Sequence, residues 1–347
     1  MFRHLGLQIG VGGGTVGVGT FFALSGFLIT TLMIEERDAT GTLDCVRFWA
    51  RRALRLLPAL AAVLAAVVLW FGIAAHQSYR RAAVLTALYV GNWAQVAGQE
   101  FGPLSHTWTL AVEEHFYLLW PVAFLALSRL RIETAVRVTI GLAAGSTILR
   151  LALWAAGASP ERLQMGTDTR LDGILIGCTA ALLLARRQRA VPFSIAALAA
   201  GTLVVLTAVQ PYSSFMLTAG YVVISLAAVV VILHLVGTTS PLRTALEWAP
   251  IVGMGRISYG LYLWHLPVYA VLLPHLLQVP LAVRSVIVMA VSVVVAAASY
   301  VLVERSFLRL KAKRWRRPTA DRRTSPGQVW ARTAAIGSAD GRGPTAG

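Results

Sequence analysis

Residues 214–236 read SFMLTAGYVVISLAAVVVILHLV, a stretch of 23 residues that contains no Asp, Glu, Lys or Arg. A helix of about 20 apolar residues matches the roughly 30 Å hydrocarbon thickness of a bilayer. Because a helix satisfies its own backbone hydrogen bonds, such a segment is stable in lipid. The stretch therefore predicts a membrane-spanning helix.

Apolar runs of similar length recur along the chain. The sequence is 57% hydrophobic and 13% charged, with a mean hydropathy of +0.68, whereas soluble domains carry roughly 25% charged residues. We therefore predict an all-α, polytopic integral membrane protein, and exclude a soluble enzyme, a disulfide scaffold and a disordered chain. The candidate segments are 16–34, 54–75, 82–98, 109–128, 136–156, 170–185, 191–209, 214–236, 255–276 and 280–302.

Arginine clusters orient these segments, because Lys and Arg are enriched in cytoplasmic loops. Every cluster is cytoplasmic if segment 82–98, which is short, polar and interrupted by glycine, makes no net crossing. About nine transmembrane helices then remain, with a cytoplasmic C-terminus in a multi-pass protein of the bacterial inner membrane. The clusters are Arg37 with Arg47 to Arg55, Arg129 to Arg137, Arg186 to Arg189, Arg243 and the C-terminal residues.

The opening residues MFRHLGLQIG do not form a signal peptide. This topology places the N-terminus outside, so an outward-running helix should precede the first predicted span. We expect the opening residues to be the remnant of that helix, with its body missing upstream. The membrane-embedded domain is predicted at 1–307.

The C-terminal residues are strongly basic. Residues 305–347 contain 11 Lys or Arg against Asp321 and Asp340, which places +9 of the net +16 behind the last apolar run. Such a cluster fits the anionic cytoplasmic leaflet. We predict a disordered cytoplasmic tail at 308–347. No aromatic interleaving or binding module accompanies the charge, so no nucleic-acid partner is expected.

Neither a disulfide nor a metal site is predicted. Cys45 and Cys178 lie far apart in the sequence, one beside a basic segment and one inside an apolar run. The adjacent pair Glu114 and His115 does not form the H-E-x-x-H pattern of a zinc helix. We therefore expect no metal and no bound cofactor.

Arginines line the start of the segment FWARRALRLLP at 48–58. Arg47, Arg51 and Arg55 form one helical stripe, and Arg52 lies on an adjoining face. One interpretation is a positively charged membrane anchor. The other is a clamp for a phosphorylated donor such as a nucleotide or coenzyme A, because guanidinium groups bind phosphate in a bidentate manner.

Ionisable residues also occur at the predicted outer ends of two spans, where they are costly to place. Glu113 and Tyr117 are either helix–helix contacts or part of a polar site. Asp168, Arg170 and Asp172 either pair with one another in a structural ion network or bind an acceptor. Further candidates in the first segment are His106, Glu114 and His115.

The segment GMGRISYGLYLWHLP at 253–267 carries polar groups into the bilayer. Ser258, Tyr262 and His265 share one helical face. His265 is either a hydrogen-bonded contact between helices or a functional residue. Glu304 and Arg305 close the last span at the inner face.

Six motifs in order resemble the membrane-bound acyltransferase 3 family, and the match covers about residues 4–307. That resemblance implies a fold of ten spans. It also implies transfer of an acyl group, usually acetyl, from cytoplasmic acyl-coenzyme A to hydroxyls of extracytoplasmic glycans, lipopolysaccharide, peptidoglycan or secondary metabolites. The motifs are GVGTFFALSGFLIT at 17–30, FWARRALRLLP at 48–58, HTWTLAVEEHFYLLWP at 106–121, TDTRLDG at 167–173, GRISYGLYLWHLP at 255–267 and SYVLVER at 299–305.

The resemblance also implies roles for individual residues. His4 is similar to the family's catalytic base, Arg52 and Arg55 to its donor contacts, and Glu304 to its functional glutamate. We place Arg51 with the donor-binding arginines and add His265 to the catalytic candidates. The acceptor-side candidates are Glu113, Tyr117, Asp168 and Arg170.

Three positions depart from the family pattern. Gly19 replaces an acid, Ser306 replaces a proline, and the family's arginine about ten residues before His4 is not in this sequence. With the first helix cut, His4 loses support, and we expect weak activity from the chain as written. The alternative function is a catalytically dead paralogue, or a membrane protein of the same fold that binds or transports glycans or lipids.

Overall fold

A computed structural model describes residues 13–71, 77–186 and 190–314, and these residues contain helices and no strand. His4, Arg187, Arg189 and residues 315–347 of the basic tail lie outside the described residues. The helices are α1 (Gly13–Thr40), α2 (Cys45–Phe71), α3 (Gln77–Ala87), α4 (Gly91–Val96), α5 (Trp108–Leu127), α6 (Ile132–Ala155), α7 (Pro160–Met165), α8 (Thr167–Arg186), α9 (Phe193–Leu206), α10 (Tyr221–Gly237), α11 (Pro241–Leu246), α12 (Ala249–Leu272), α13 (Leu281–Ser299) and α14 (Arg305–Arg314).

Short irregular turns extend several of these helices. A 3₁₀ turn at Gly102–Thr107 leads into α5, and another at Leu273–His275 follows α12. π-helical turns at Met216–Gly220 and Tyr300–Glu304 precede α10 and follow α13.

Six helical segments in the described part of the chain are long and apolar enough to cross a membrane. The all-α polytopic fold class is thereby confirmed. The predicted spans at 170–185, 191–209 and 255–276 coincide with α8, α9 and α12, which are not among the six, so a total of nine crossings stays a prediction. The six are Gly13–Thr40, Cys45–Phe71, Gly102–Leu127, Ile132–Ala155, Met216–Gly237 and Leu281–Arg309.

Segment 82–98 forms parts of two short helices instead of one span. Helix α3 has 11 residues and α4 has 6, which correspond to about 16 Å and about 9 Å at the usual rise per residue. Between them Tyr89 adopts a positive φ of 55° and breaks the helix. Neither helix is long enough to span the hydrocarbon core, as the charge pattern predicted.

Contacts group the loops at two ends of the bundle. At one end Arg37 donates to the Ser128 carbonyl at 2.9 Å, and Arg186 pairs with Glu133 at 3.3 Å. These residues belong to the loops that the sequence predicts to be cytoplasmic. At the other end Asn92 donates to Thr167 Oγ1 at 2.9 Å, which joins the two predicted outer loops.

The bundle core is built around α1, which packs closely on α8. A Cβ atom added to Gly26 would overlap the Ile174 carbonyl, and one added to Gly177 would overlap the Ala23 carbonyl. Small residues allow such close backbone approach, and van der Waals packing then stabilises the helix pair in lipid.

Helix α5 lies between two hydrophobic clusters. Its residues Val112 and Phe116 pack in a cluster with α1, α6 and α8. Leu110, together with Leu104 from the preceding turn, packs in a second cluster with α2, α3 and α12. A polar residue on α5 is therefore positioned to contact either group of helices.

Candidate active site

One stripe of polar residues runs along α5 and the turn before it. His106, Thr109, Glu113 and Tyr117 follow one another at intervals of three or four residues, so they share one helical face. We call this set the α5 stripe. It extends from the end of the helix that the sequence predicts to be outer to the middle of the helix.

Helix α12 contacts the outer end of the stripe. Tyr262 donates its hydroxyl proton to the His106 carbonyl and lies 2.5 Å from Thr109 Oγ1. Because that proton is used, Thr109 donates to the Tyr262 oxygen. The sequence predicted that Tyr262 shares a helical face with His265, and the structure supplies the partner of Tyr262 on α5.

Two histidines meet at the same place. The rings of His106 and His265 lie 4.8 Å apart, edge to face. Nδ1 of His265 lies 2.6 Å from the Tyr262 carbonyl, and a carbonyl only accepts, so Nδ1 carries the proton and a neutral His265 presents a lone pair on Nε2. Both ring nitrogens of His106 are buried without a hydrogen-bond partner.

Ser258 does not join this cluster. Its side chain is exposed and donates to the Gly255 carbonyl at 2.9 Å. The helical spacing correctly placed Ser258 on the face of Tyr262 and His265, but its position along α12 keeps it away from the α5 stripe.

A hydroxyl on α1 joins the next two residues of the stripe. Glu113 is 3% exposed and accepts from Ser25 Oγ at 3.2 Å, while the Tyr117 hydroxyl donates to Ser25 Oγ at 3.1 Å. The motif GVGTFFALSGFLIT contains Ser25 but gave no signal that it links two buried polar residues.

Arg52 contacts the inner end of the stripe. Its guanidinium carbon lies 3.6 Å from the centre of the Tyr117 ring, and its Nε is buried without a hydrogen-bond partner. Trp49 donates to the Tyr117 carbonyl at 2.9 Å and fixes the start of α2 against α5. The sequence grouped Tyr117 with the acceptor-side residues, whereas the structure places its ring against a predicted donor-binding arginine.

The other predicted donor arginines have different surroundings. Arg51 forms an ion pair with Glu36 at 2.6 Å. Arg55 is exposed and lies within electrostatic range of Glu304. Glu304 is 6% exposed, its Oε1 has no hydrogen-bond partner, and it lies against Gly260 of α12.

Asp168, Arg170 and Asp172 form no ion pair with one another, so the interpretation that they pair internally is wrong. Both oxygens of Asp168 are bonded by Arg162, at 2.8 and 2.6 Å, and Asp172 pairs with Arg150 at 2.5 Å. Each acid therefore takes a partner outside its own helix. Arg170 forms no ion pair within the described ranges.

Arg150 and Arg162 were not singled out from the sequence. Arg150 is the only charged residue inside the apolar run 136–156, apart from Arg137 at its start, and an isolated charge within a span indicates a buried partner. Arg162 gave no comparable signal, because it lies in a polar loop.

Gly19, which departs from the family pattern, lies in a closely packed position. A Cβ atom on Gly19 would lie 2.7 Å from Cγ2 of Ile224, so this position has no room for a carboxylate.

Within 13–71, 77–186 and 190–314, no three His, Cys, Asp or Glu side chains come together as a metal site requires. The absence of a metal stays a prediction.

The sequence of this chain is similar to those of several known proteins. The family described as "Acyltransferase domain" matches residues 2–302. Peptidoglycan O-acetyltransferase OatA of Listeria monocytogenes is 29% identical over 316 residues, which cover 84% of this chain and 51% of that protein. The putative peptidoglycan O-acetyltransferase YrhL of Bacillus subtilis is 30% identical over 321 residues, which cover 84% and 50%.

O-acetyltransferase OatA of Staphylococcus aureus is 32% identical over 289 residues, which cover 76% of this chain and 47% of that protein. The chain thus spans about half the length of the curated relatives it matches. No solved structure matches it.

Proposed function

The chain belongs to the membrane-bound acyltransferase 3 family, matched over residues 2–302, and from this premise we propose that it transfers an acyl group to a hydroxyl. The donor is acyl-coenzyme A, usually acetyl-coenzyme A, on the cytoplasmic side. The acceptor is an extracytoplasmic glycan. The observation that carries the proposal is the α5 stripe, which leads from Arg52 through Tyr117, Ser25 and Glu113 to the histidines.

The arginines at the inner end bind the donor. Arg52 retains an unpartnered Nε beside the Tyr117 ring, and a guanidinium group is well suited to the phosphates of coenzyme A. Arg55 lies one turn further along α2 and contributes a second positive charge. Arg51 lies on the same turn, with Glu36 as its partner.

The transfer itself needs a base near the acceptor hydroxyl. The base removes the hydroxyl proton while the oxygen forms a bond to the thioester carbon, after which the carbon–sulfur bond breaks and coenzyme A leaves as a thiolate. His4 is the proposed base by its match to the family motif. His265 Nε2 is the base candidate among the described residues, since its Nδ1 is held by a carbonyl.

Glu304 has a supporting part in this proposal. It is buried close to Gly260 and lies within electrostatic range of Arg55. The two residues form no ion pair, so Glu304 acts on the Arg55 guanidinium through its charge alone. Glu304 thereby links the last predicted span to the donor end of the α5 stripe.

The relatives named above suggest the acceptor class. Two of them are described as peptidoglycan O-acetyltransferases, one of these as putative. We propose that this chain acts in the cytoplasmic membrane with its C-terminus inside, and that its acceptor is a glycan of the cell envelope.

Radiolabelled acetyl-coenzyme A tests the proposal directly. The purified chain in lipid vesicles is incubated with the label and with peptidoglycan fragments or lipopolysaccharide, and alkali-labile label on the glycan is measured. We expect ester formation with one of these acceptors and none in vesicles without protein. If no acceptor gains label while acetyl-coenzyme A still binds, the chain is a binding or transport protein of the same fold.

A further inference from the structure

Two buried arginines lie near the outer ends of α6 and α8. Arg150 is 0% exposed and Arg170 is 2% exposed. The carboxylate of Asp172 lies within electrostatic range of both. This cluster of two guanidinium groups and one carboxylate carries a net charge of +1.

Every guanidinium nitrogen of Arg150 has a hydrogen-bond partner. Its Nη1 contacts Asp172 Oδ2 at 2.5 Å and the Thr169 carbonyl at 2.6 Å, and its Nε donates to the Leu217 carbonyl at 3.0 Å. Its Nη2 donates to the Thr218 carbonyl at 3.4 Å. Arg150 therefore has the partners that a structural buried ion requires.

Arg170 has the same burial but not the same partners. Its Nε and Nη1 are buried without a hydrogen-bond partner. Its guanidinium carbon lies 3.5 Å from the centre of the Tyr221 ring and 5.5 Å from that of Phe22. Ring faces attract the charge but leave these two N–H groups unsatisfied. The Tyr221 hydroxyl is also buried without a partner.

No carboxylate of the described residues forms an ion pair with Arg170. Asp168 is the nearest acid before it in the sequence, but both of its oxygens are bonded by Arg162. Residues 1–12, 72–76 and 187–189, which lie outside the described ranges, contain no Asp or Glu. None of these residues therefore supplies an ion-pair partner for Arg170.

We propose that Arg170 and the Tyr221 hydroxyl bind an oxyanion, a carboxylate or a phosphate, carried by the acceptor. A buried, uncompensated charge in a membrane bundle is costly, and an anion with several acceptor oxygens satisfies both groups. The assignment to the acceptor rests on the proposed function, because α8 begins at the predicted outer end. It narrows the acceptor class to anionic glycans.

Arg170→Met tests the site, and Arg150→Met is its matched control. In the unliganded protein we expect Arg170→Met to melt at or above the wild-type temperature, since it removes an unpaired charge. Arg150→Met should melt lower, because it leaves Asp172 buried without its partner. Lower stability in Arg170→Met than in Arg150→Met would show that Arg170 is structural.

Anion binding is measured separately from catalysis. The melting temperature of the protein in neutral-lipid nanodiscs is followed with sodium acetate and with inorganic phosphate, at constant ionic strength set by chloride. At least one anion should raise it in the wild type and neither should in Arg170→Met, since a ligand that binds only the native state stabilises it. No rise in the wild type, or an equal rise in the variant, overturns the oxyanion site.

Kinetics then test the assignment to the acceptor. For a glycan that carries a carboxylate or phosphate, Arg170→Met should raise KM on the order of 10- to 100-fold, the range expected for charge-assisted hydrogen bonds. For a neutral glycan with the same hydroxyl, the rise in KM should be much smaller. A raised KM for acetyl-coenzyme A would instead place the oxyanion on the donor. An anion-dependent melting shift without any acyl transfer would contradict the proposed function but not the oxyanion site.

Discussion

At the scale of single residues, the contact between Arg52 and Tyr117 joins two motifs that lie apart in the sequence. The arginine motif alone indicated an anion clamp or a membrane anchor. The aromatic contact at 3.6 Å and the unpartnered Nε favour the clamp. Sequence spacing did not predict this contact, because it depends on how α2 packs against α5.

Arg52→Ala and Arg51→Ala form a matched pair of variants on adjacent residues. We expect Arg52→Ala to raise KM for acetyl-coenzyme A by about tenfold or more, because a charge-assisted contact to phosphate is worth roughly 1.5–3 kcal/mol. Arg51→Ala should have a smaller effect, since Glu36 already occupies its guanidinium group. Steady-state kinetics with a saturating acceptor measure both. Equal KM values for acetyl-coenzyme A in the two variants and the wild type would support the interpretation of Arg52 as a membrane anchor.

The same scale shows why the ion pairs of the segment 167–173 could not be predicted from the sequence. One of the two interpretations paired Asp168 and Asp172 with Arg170, because all three share one short motif. Their actual partners, Arg162 and Arg150, come from α7 and α6. Helical spacing shows which residues share a face, but it does not show which helix that face meets.

At the scale of helices, hydropathy placed most elements within a few residues of their observed bounds. The prediction that segment 82–98 makes no net crossing relied on the charge pattern, and α3 and α4 are indeed too short to cross the membrane. The close packing of α1 on α8 was not predicted. Gly26 lies within a recognised motif and Gly177 lies outside all of them, and nothing in the sequence shows that Gly26 faces a carbonyl of another helix.

Gly26→Ala should therefore destabilise the fold. The added Cβ overlaps the Ile174 carbonyl, so α1 and α8 have to separate at a cost of roughly 1–3 kcal/mol. Gly141→Ala is the control, because a Cβ at Gly141 in α6 meets nothing within 4 Å and alanine favours a helix. Thermal melting in detergent compares the two. A Gly26→Ala protein as stable as Gly141→Ala would disprove the tight helix contact.

At the scale of the whole molecule, the proposed function requires a polar route across the bilayer, and the α5 stripe is our candidate for part of it. The α5 stripe contacts Ser25 of α1, Arg52 of α2 and Tyr262 of α12. His4 lies outside the described residues, so its place on this route stays a prediction. Composition and charge predict which segments of a chain cross the membrane, whereas the contacts between distant helices require the folded structure.

Sidedness is the consequence of this route that can be measured most directly. The protein is reconstituted with its cytoplasmic face outward in sealed vesicles, with labelled acetyl-coenzyme A outside and glycan acceptor enclosed. The account predicts labelled ester on the enclosed glycan from the wild type and a much lower rate from Arg52→Ala. Ester formation only when donor and acceptor share one compartment would contradict it.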